Sequence, residues 1–412
     1  MDGELFARLA ARCKTMRPLL LALGMSVAAT GWAVADTDSG GPQHADPETR
    51  LLSALSQINS GKLDGALEDL SSLIEEQPDF RLANYLYGDL MLAKAGRIPN
   101  LSTTDDEFGA RKHALLEEAR SRWSHRLQSP PANAVPNAVL ALAPSYRYVV
   151  VVDLKRNRLY LLKNVNGVPK IQADYYASIG EKGIGKYSEG DAKTPVGVYH
   201  VTEYKSDREL PELYGVGAFP VNYPNELDLL YGRTGYGIWV HGVPRDTYNR
   251  APRASQGCVV VSNEDLEDLH EYIQPGVTPV VFTDQLEWLT PEEAAEKRWE
   301  LVTAVADWRR RWEQVDTEGY LGYYSAQFVS NDGMDKQSFS EYKRQVNANK
   351  TAIDVKLDDI SIFRYPSEQD MALITFTQRY SSNNFHAVAR KQQFWKRDSA
   401  AGWQILHESR GE

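Results

Sequence analysis

The chain has 412 residues, a formal net charge of -10 and 42% hydrophobic residues. That length allows two or three domains with their own cores. The acidic balance, without a basic stripe, excludes nucleic acid as a partner. Beyond the N-terminal segment no stretch approaches the roughly 20 apolar residues that a membrane-spanning helix needs.

Residues 1–35 read as an export signal that delivers the protein to the periplasm. Arg8, Arg12, Lys14 and Arg17 surround the start of an apolar stretch from Pro18 to Ala29, and Ala33-Val34-Ala35 fits a small-x-small cleavage site. Met16 is an alternative start, and an uncleaved N-terminal anchor is the rival reading. Cleavage removes Cys13 and leaves Cys258 as the single cysteine. In an oxidising compartment a structural role favours pairs, so one surviving thiol points to chemistry.

Residues 48–127 read as an α-helical region. Gly61 to Leu70, Pro78-Asp79-Phe80 and then Ala83, Tyr87 and Gly88 resemble one tetratricopeptide (TPR) repeat. Such repeats need about three copies to stand alone. The pattern therefore predicts a helical hairpin packed on its neighbour, and a protein partner docking there is the alternative. Residues 128–144, rich in Pro, Ala and Asn, read as a linker.

Residues 145–285 carry short β-branched runs separated by Gly and Pro, beginning with Tyr146–Val152 and Arg158–Leu162. One helix at 263–273, with Ser262 as its N-cap, interrupts them. Residues 290–412 begin with a helical stretch over Trp288–Trp312, started by Thr290-Pro291-Glu292-Glu293. Its Trp299, Leu301, Val302, Val305, Trp308 and Trp312 form a predicted core stripe. A further helix at 337–348 and strands near 353–363, 370–380, 386–397 and 402–408 predict a separate α+β domain. Tyr320 to Tyr324 reads as packed aromatic core.

The chemistry concentrates in Ser255-Gln256-Gly257-Cys258, seventeen residues after His241 of Trp239-Val240-His241-Gly242. A thiol is weakly ionised at neutral pH, its ordinary pKa being about 8.5. An imidazole within reach can hold the thiolate as an ion pair and later protonate a leaving amine. The amides of Gly257 and Cys258 are candidates for an oxyanion hole. The opposing reading is a buried, inert cysteine. Gly180-Glu181-Lys182-Gly183-Ile184-Gly185-Lys186-Tyr187 nearly spells a phosphate-binding loop, but Tyr187 replaces the metal-binding hydroxyl. His200, His270 and His386 lack partners at zinc-ligand spacing. No metal or other cofactor is expected.

His241-Gly242, the spacing to Ser255-x-Gly257-Cys258, and the upstream Glu189-Gly190-Asp191-x-x-Thr194-Pro195-x-Gly197 together resemble the catalytic domain of the L,D-transpeptidase (YkuD) family. The resemblance covers residues 146–283. It implies a β-rich domain whose cysteine attacks peptidoglycan stem peptides between the L-centre of meso-diaminopimelate and D-alanine. It makes Cys258 the nucleophile and His241 the base, oriented by the Gly242 carbonyl. Many members have histidine where Gln256 stands. The variant here, with its appended domain, resembles the cell-shape L,D-carboxypeptidases, whose C-terminal domain is like nuclear transport factor 2 (NTF2). There an arginine at the Gln256 position helps to hold the terminal carboxylate. Arg253 or Arg233 is expected to supply that charge here, with Ser255, Gln256 and Trp239 as further substrate contacts.

The sequence thus predicts an exported three-part enzyme: a TPR-like α-helical region, a β-rich L,D-transpeptidase domain and an α+β NTF2-like domain. The acceptor stays open. A stem-peptide amine or a lipoprotein lysine makes the protein a transpeptidase, slightly preferred as a class name, and water makes it an L,D-carboxypeptidase. A non-catalytic wall-binding scaffold is the rival from another class.

Overall fold

The computed structural model describes residues 46–96, 107–131, 133–366 and 370–411. The export signal, its cleavage site and Cys13 lie outside them. No described helix is long and apolar enough to cross a membrane.

Three helices come first: α1 (Pro47–Asn59), α2 (Leu63–Glu76) and α3 (Arg81–Lys94). Asp46 caps α1 by accepting the amides of Glu48 and Thr49, with Pro47 in the first turn. Leu51 and Ala54 of α1 and Ala66, Leu70 and Leu73 of α2 are buried, the helical spacing that makes a hairpin. Among the described residues, 46–78 and 83–96 form one compact unit, and 79–82 with those from 107 onward a second. The single helical region expected over 48–127 therefore divides. Helix α4 (Glu107–Leu127) belongs to the second unit, and Glu118 and Arg122 on it are buried there as an ion pair at 3.0 Å.

Within that second unit, β1 (Tyr148–Asp153), β2 (Arg158–Val165) and β3 (Val168–Tyr176) form an antiparallel meander. With β4 (Gly197–His200) and β8 (Pro279–Thr283) they make a five-stranded sheet of order β3-β2-β1-β8-β4. The run Val149-Val150-Val151-Val152 is apolar without alternation because both faces of the sheet are covered. Val150, Val152 and Val280 face a core shared with Val240, Val259 and Leu266. Val149, Val151 and Val281 pack in a second core with Phe363, Leu373 and Phe394 of the C-terminal domain.

A smaller sheet carries the site. Its strands are β5 (Gly217–Pro220), β6 (Trp239–His241) and β7 (Val259–Val260), with Lys205–Ser206 at its edge. Helix α5 (Asn263–Tyr272) follows at once. Ser262 Oγ accepts the Asp265 amide at 3.1 Å, as the sequence predicts.

The C-terminal part has a long helix, α6 (Pro291–Glu313), and a shorter α7 (Lys336–Asn347). They accompany a sheet of β9 (Tyr324–Ser330), β10 (Ile353–Arg364), β11 (Met371–Ser382), β12 (Phe385–Asp398) and β13 (Gly402–Arg410). Thr290 caps α6 in a capping box with Glu293. Leu301, Val305, Trp308 and Trp312 are core, as are Tyr320 and Tyr324. Trp299 and Val302 are not: Trp299 is 70% exposed and Val302 37%. A helix offers one face to a sheet, and these two positions fall beside that face.

The segment 128–144 is not a loose linker. Val139–Ala141 adds an edge strand to the C-terminal sheet beside β10, and Val135–Pro136 pairs with Trp288–Leu289. Val135, Val139, Leu140 and Leu142 are buried, so apolar contact overrides the turn-like Pro, Ala and Asn composition.

Candidate active site

Strands β6 and β7 run parallel, with Val240 paired to Val259 and His241 to Val260. One residue before this register, Cys258 lies beside Trp239. The turn into β7 requires glycine. Gly257 has φ +122°, and a Cβ there would stand 2.7 Å from the Lys193 carbonyl oxygen. Ser255 is buried and closes this turn. Its Oγ donates to the Cys258 carbonyl at 2.6 Å and accepts the Gly257 amide at 3.1 Å.

That last bond corrects one expectation. The Gly257 N–H is already engaged and is not a free oxyanion donor. The Cys258 N–H makes no hydrogen bond among the described residues and remains for that role.

His241 is buried, with Nδ1 2.7 Å from the Gly242 carbonyl oxygen. A carbonyl only accepts, so Nδ1 carries the proton and Nε2 is left as the basic nitrogen. Gly242 leaves room for Asn263, whose Oδ1 would be 2.3 Å from an added Cβ. Asn263 accepts the amides of Val216 and Val243, both at 3.2 Å, and donates to the Val243 carbonyl at 2.9 Å. It thereby fixes the chain just after His241-Gly242.

Burial drives both reactive groups toward neutrality. It lowers the His241 pKa to about 4, with the nearby Arg250 adding to the effect against the Gly242 bond. It raises the Cys258 thiol to about 11, against a bond with the Trp239 backbone and the charges of Arg250 and Lys186. The resting pair is therefore thiol and imidazole, not the ion pair expected from sequence. Cys258 Sγ lies 3.4 Å from the Gly237 carbonyl oxygen, which accepts the thiol proton. Labelling at acid pH consequently does not separate an enzyme from a scaffold here; reaction products do.

Tyr214 binds the site together. Its ring lies 4.8 Å from Trp239 and 4.9 Å, edge-on, from His241; burial raises its pKa, and a thiolate at Cys258 would raise it further. Trp239 is half-buried against it, and Gln256 is exposed beside the thiol turn.

Neither proposed arginine occupies the site as expected. Arg233 is paired with the fully buried Asp228 at 2.8 Å. Asp228 also accepts from Tyr199, while Asn225 beside it donates to Tyr365 of the C-terminal domain at 2.9 Å. Arg233 thus neutralises a buried carboxylate at the domain junction. Arg253 is exposed and lines a cleft with Glu117, Arg120 and Ser121 of α4, a cleft that Cys258 does not border.

The cation that acts on both Cys258 and His241 is Arg250, which the sequence reading missed. Its Nη2 donates to the Leu213 carbonyl at 3.2 Å, next to Tyr214. Position in the loop between His241 and Cys258 was the available signal. Lys186, from the phosphate-loop lookalike, is 4% exposed and paired with Asp191 at 2.9 Å. Despite partial burial, bonds from Lys186 and the amides of Tyr187, Ser188 and Lys193 hold Asp191 at about 2. The motif around Asp191 and Thr194 therefore shapes a loop, with Thr194 Oγ1 accepting the Gly180 amide at 2.9 Å. Among the described residues no group of His, Cys, Asp and Glu could hold a metal ion.

Comparison with known proteins finds two family models that match parts of the sequence. Residues 147–282 match the family model of the L,D-transpeptidase catalytic domain (YkuD). Residues 300–409 match that of the Cds6 C-terminal NTF2-like domain. Among solved structures, the chain is similar to Bdellovibrio bacteriovorus Bd1075 at 28% identity and TM-score 0.60, covering 68% of this chain and 98% of that one. It is also similar to the helical cell shape determining protein Pgp2 from Campylobacter jejuni, at 27% identity and TM-score 0.57, over 66% of this chain and 95% of that one. No curated protein matches the sequence.

Proposed function

We propose that this chain, which joins an L,D-transpeptidase catalytic domain to an NTF2-like domain, is an exported cysteine enzyme that trims peptidoglycan stem peptides and thereby acts on cell shape. The observation that carries the reading is the parallel pairing of the strand that ends at His241 with the strand that begins just after Cys258, with an imidazole whose Nδ1 is fixed by Gly242 and whose Nε2 stays basic.

The reaction begins as Cys258 Sγ turns from Gly237 to attack the diaminopimelate carbonyl carbon, and His241 Nε2 takes the thiol proton. The Cys258 amide receives the developing oxyanion. Collapse breaks the C–N bond, and the imidazolium returns its proton to the leaving D-alanine amine. The thioester is then resolved by an acceptor that His241 deprotonates. Because the thiol is neutral at rest, proton transfer accompanies attack and does not precede it.

Water is the first choice of acceptor, giving an L,D-carboxypeptidase. Similarity over 95% of the length of a helical cell shape determining protein supports this. The catalytic-domain family supports a second reading, transfer to a stem-peptide amine as an L,D-transpeptidase. Incubating the purified protein with disaccharide tetrapeptide and weighing the products decides. Tripeptide alone means hydrolysis, and a crosslinked dimer lacking one D-alanine means transfer. Neither product, beside active controls, refutes the enzyme and favours a scaffold.

Arg250 takes the carboxylate role first expected of Arg253 or Arg233. It has no ion-pair partner among the described residues, whereas Arg233 has Asp228 and Arg245 has Asp207 and Glu212. A guanidinium left unpaired beside the thiol suits the free carboxylate of the departing D-alanine. Arg250→Ala is expected to raise KM for tetrapeptide about tenfold, with partial recovery in Arg250→Lys. Arg253→Ala should stay within about twofold of the parent. The reverse ranking in steady-state kinetics sinks this assignment.

A further inference from the structure

We infer that Glu118 of α4 is a positioning residue for the reaction proposed above, acting through Asn249 to hold Arg250 at the thiol. Asn249 Nδ2 donates to Glu118 Oε1 at 2.7 Å, which ties the residue before Arg250 to the helix. The same Glu118 oxygen accepts Arg122 Nε at 3.0 Å. The Arg122 guanidinium lies over the Tyr176 ring, 3.9 Å from its centre, and Tyr176 Oη donates to the Arg250 carbonyl at 3.1 Å. Two routes thus lead from one buried ion pair to Arg250, one through the preceding side chain and one through its own backbone.

The next two carbonyls are held by the catalytic domain itself. Ser178 Oγ donates to Ala251 at 2.5 Å and Asn157 Nδ2 to Pro252 at 2.8 Å. Asn249 has its fastening on α4 alone among the described side-chain bonds. Glu118 and Arg122 are 1% and 3% exposed. A buried ion pair is costly to desolvate, and apolar residues would pack a helix as well. Retaining charge here makes sense if its direction matters, and the direction it fixes is that of Asn249. Helix α4 is therefore a working part of the catalytic unit.

The test reads Cys258 directly. The thiol is faced by the cations Arg250 and Lys186 and by Tyr214 and the neutral His241. Loss or displacement of Arg250 removes a stabiliser of the thiolate and slows alkylation at a fixed pH. Alkylation of the full chain by iodoacetamide, followed at the Cys258 peptide by mass spectrometry from pH 7 to 11, should be at least about threefold slower at pH 8.5 in Asn249→Ala and in Arg250→Ala. The double variant should be no slower than Arg250→Ala, because the two act in series. Glu118→Ala removes the acceptor of Asn249 and should slow alkylation as Asn249→Ala does, with partial recovery in Glu118→Gln, which keeps an acceptor. Parent rates in Asn249→Ala, or effects that add in full, overturn the inference. Should Glu118→Ala fold poorly, Asn249→Ala still decides. Tetrapeptide turnover measured alongside separates the two claims. An inert parent with the alkylation pattern intact refutes the enzyme and leaves the brace, and the opposite result refutes the brace alone.

Discussion

Cys258→Ser is expected to lower tetrapeptide turnover by about 10⁴-fold or more while leaving thermal stability within about 2 °C of the parent. The size follows from the partner base. Burial holds the His241 imidazole at about 4, so it is a weak base. A thiol raised to about 11 is still within its reach as the C–S bond forms. An alcohol is far less acidic, and its alkoxide would have to form beside the same weak base. Little stability is at stake, since the side chain's 3.4 Å contact to the Gly237 carbonyl and its bond with the Trp239 backbone are both open to a serine hydroxyl. Release of tripeptide, followed by mass spectrometry, checks this beside a melting curve. Turnover in the serine variant above about a hundredth of the parent would remove Cys258 as nucleophile.

The sequence made the reactive turn legible because its constraints are local. Gly257 must be glycine at φ +122°, and His241 ends a short strand just before Gly242. The cap at Ser262 and the capping box at Thr290 are likewise local hydrogen bonds, so their positions follow from three or four neighbouring residues. The C-terminal order of helices and strands followed from periodicity, with Trp299 and Val302 the positions where a helical stripe runs wider than the face it buries.

What stayed hidden depends on partners distant in the chain. Arg233 looked free until Asp228, itself anchored by Tyr199, appeared beside it. Arg250 gave only its position between His241 and Cys258, because nothing in its neighbours announces that the Leu213 carbonyl folds against it. Residues 128–144 read as a linker since short edge strands carry little pattern, and Val139 pairs with Phe363, more than 200 positions away. The protonation of the pair was hidden too. Residue types permit either an ion pair or a neutral pair, and only burial decides.

That burial sets a pH dependence of its own. An unfolded histidine titrates near 6.5, and His241 in the fold near 4. Between these values the unfolded chain binds a proton that the folded site refuses, so stability falls as pH drops through this window. The sign is that of a buried neutral base: full stability above about 6.5, progressive loss toward 4, and no further loss from this group below it. A gap of this size is worth about 3 kcal/mol in full, of which about 2 should be lost between pH 7 and 4.5. Asp191, held at about 2, adds its own loss only at more acid pH. Urea unfolding of the parent and of His241→Gln at both pH values isolates the term by difference, since the remaining carboxylates are common to both proteins. Turnover should persist in the parent down to about pH 5, because the imidazole is still neutral there, and should fail as pH passes 4. If parent and variant lose stability in parallel from pH 7 to 4.5, the imidazole is not held neutral by burial, and the attack on the stem peptide must then start from a charged pair.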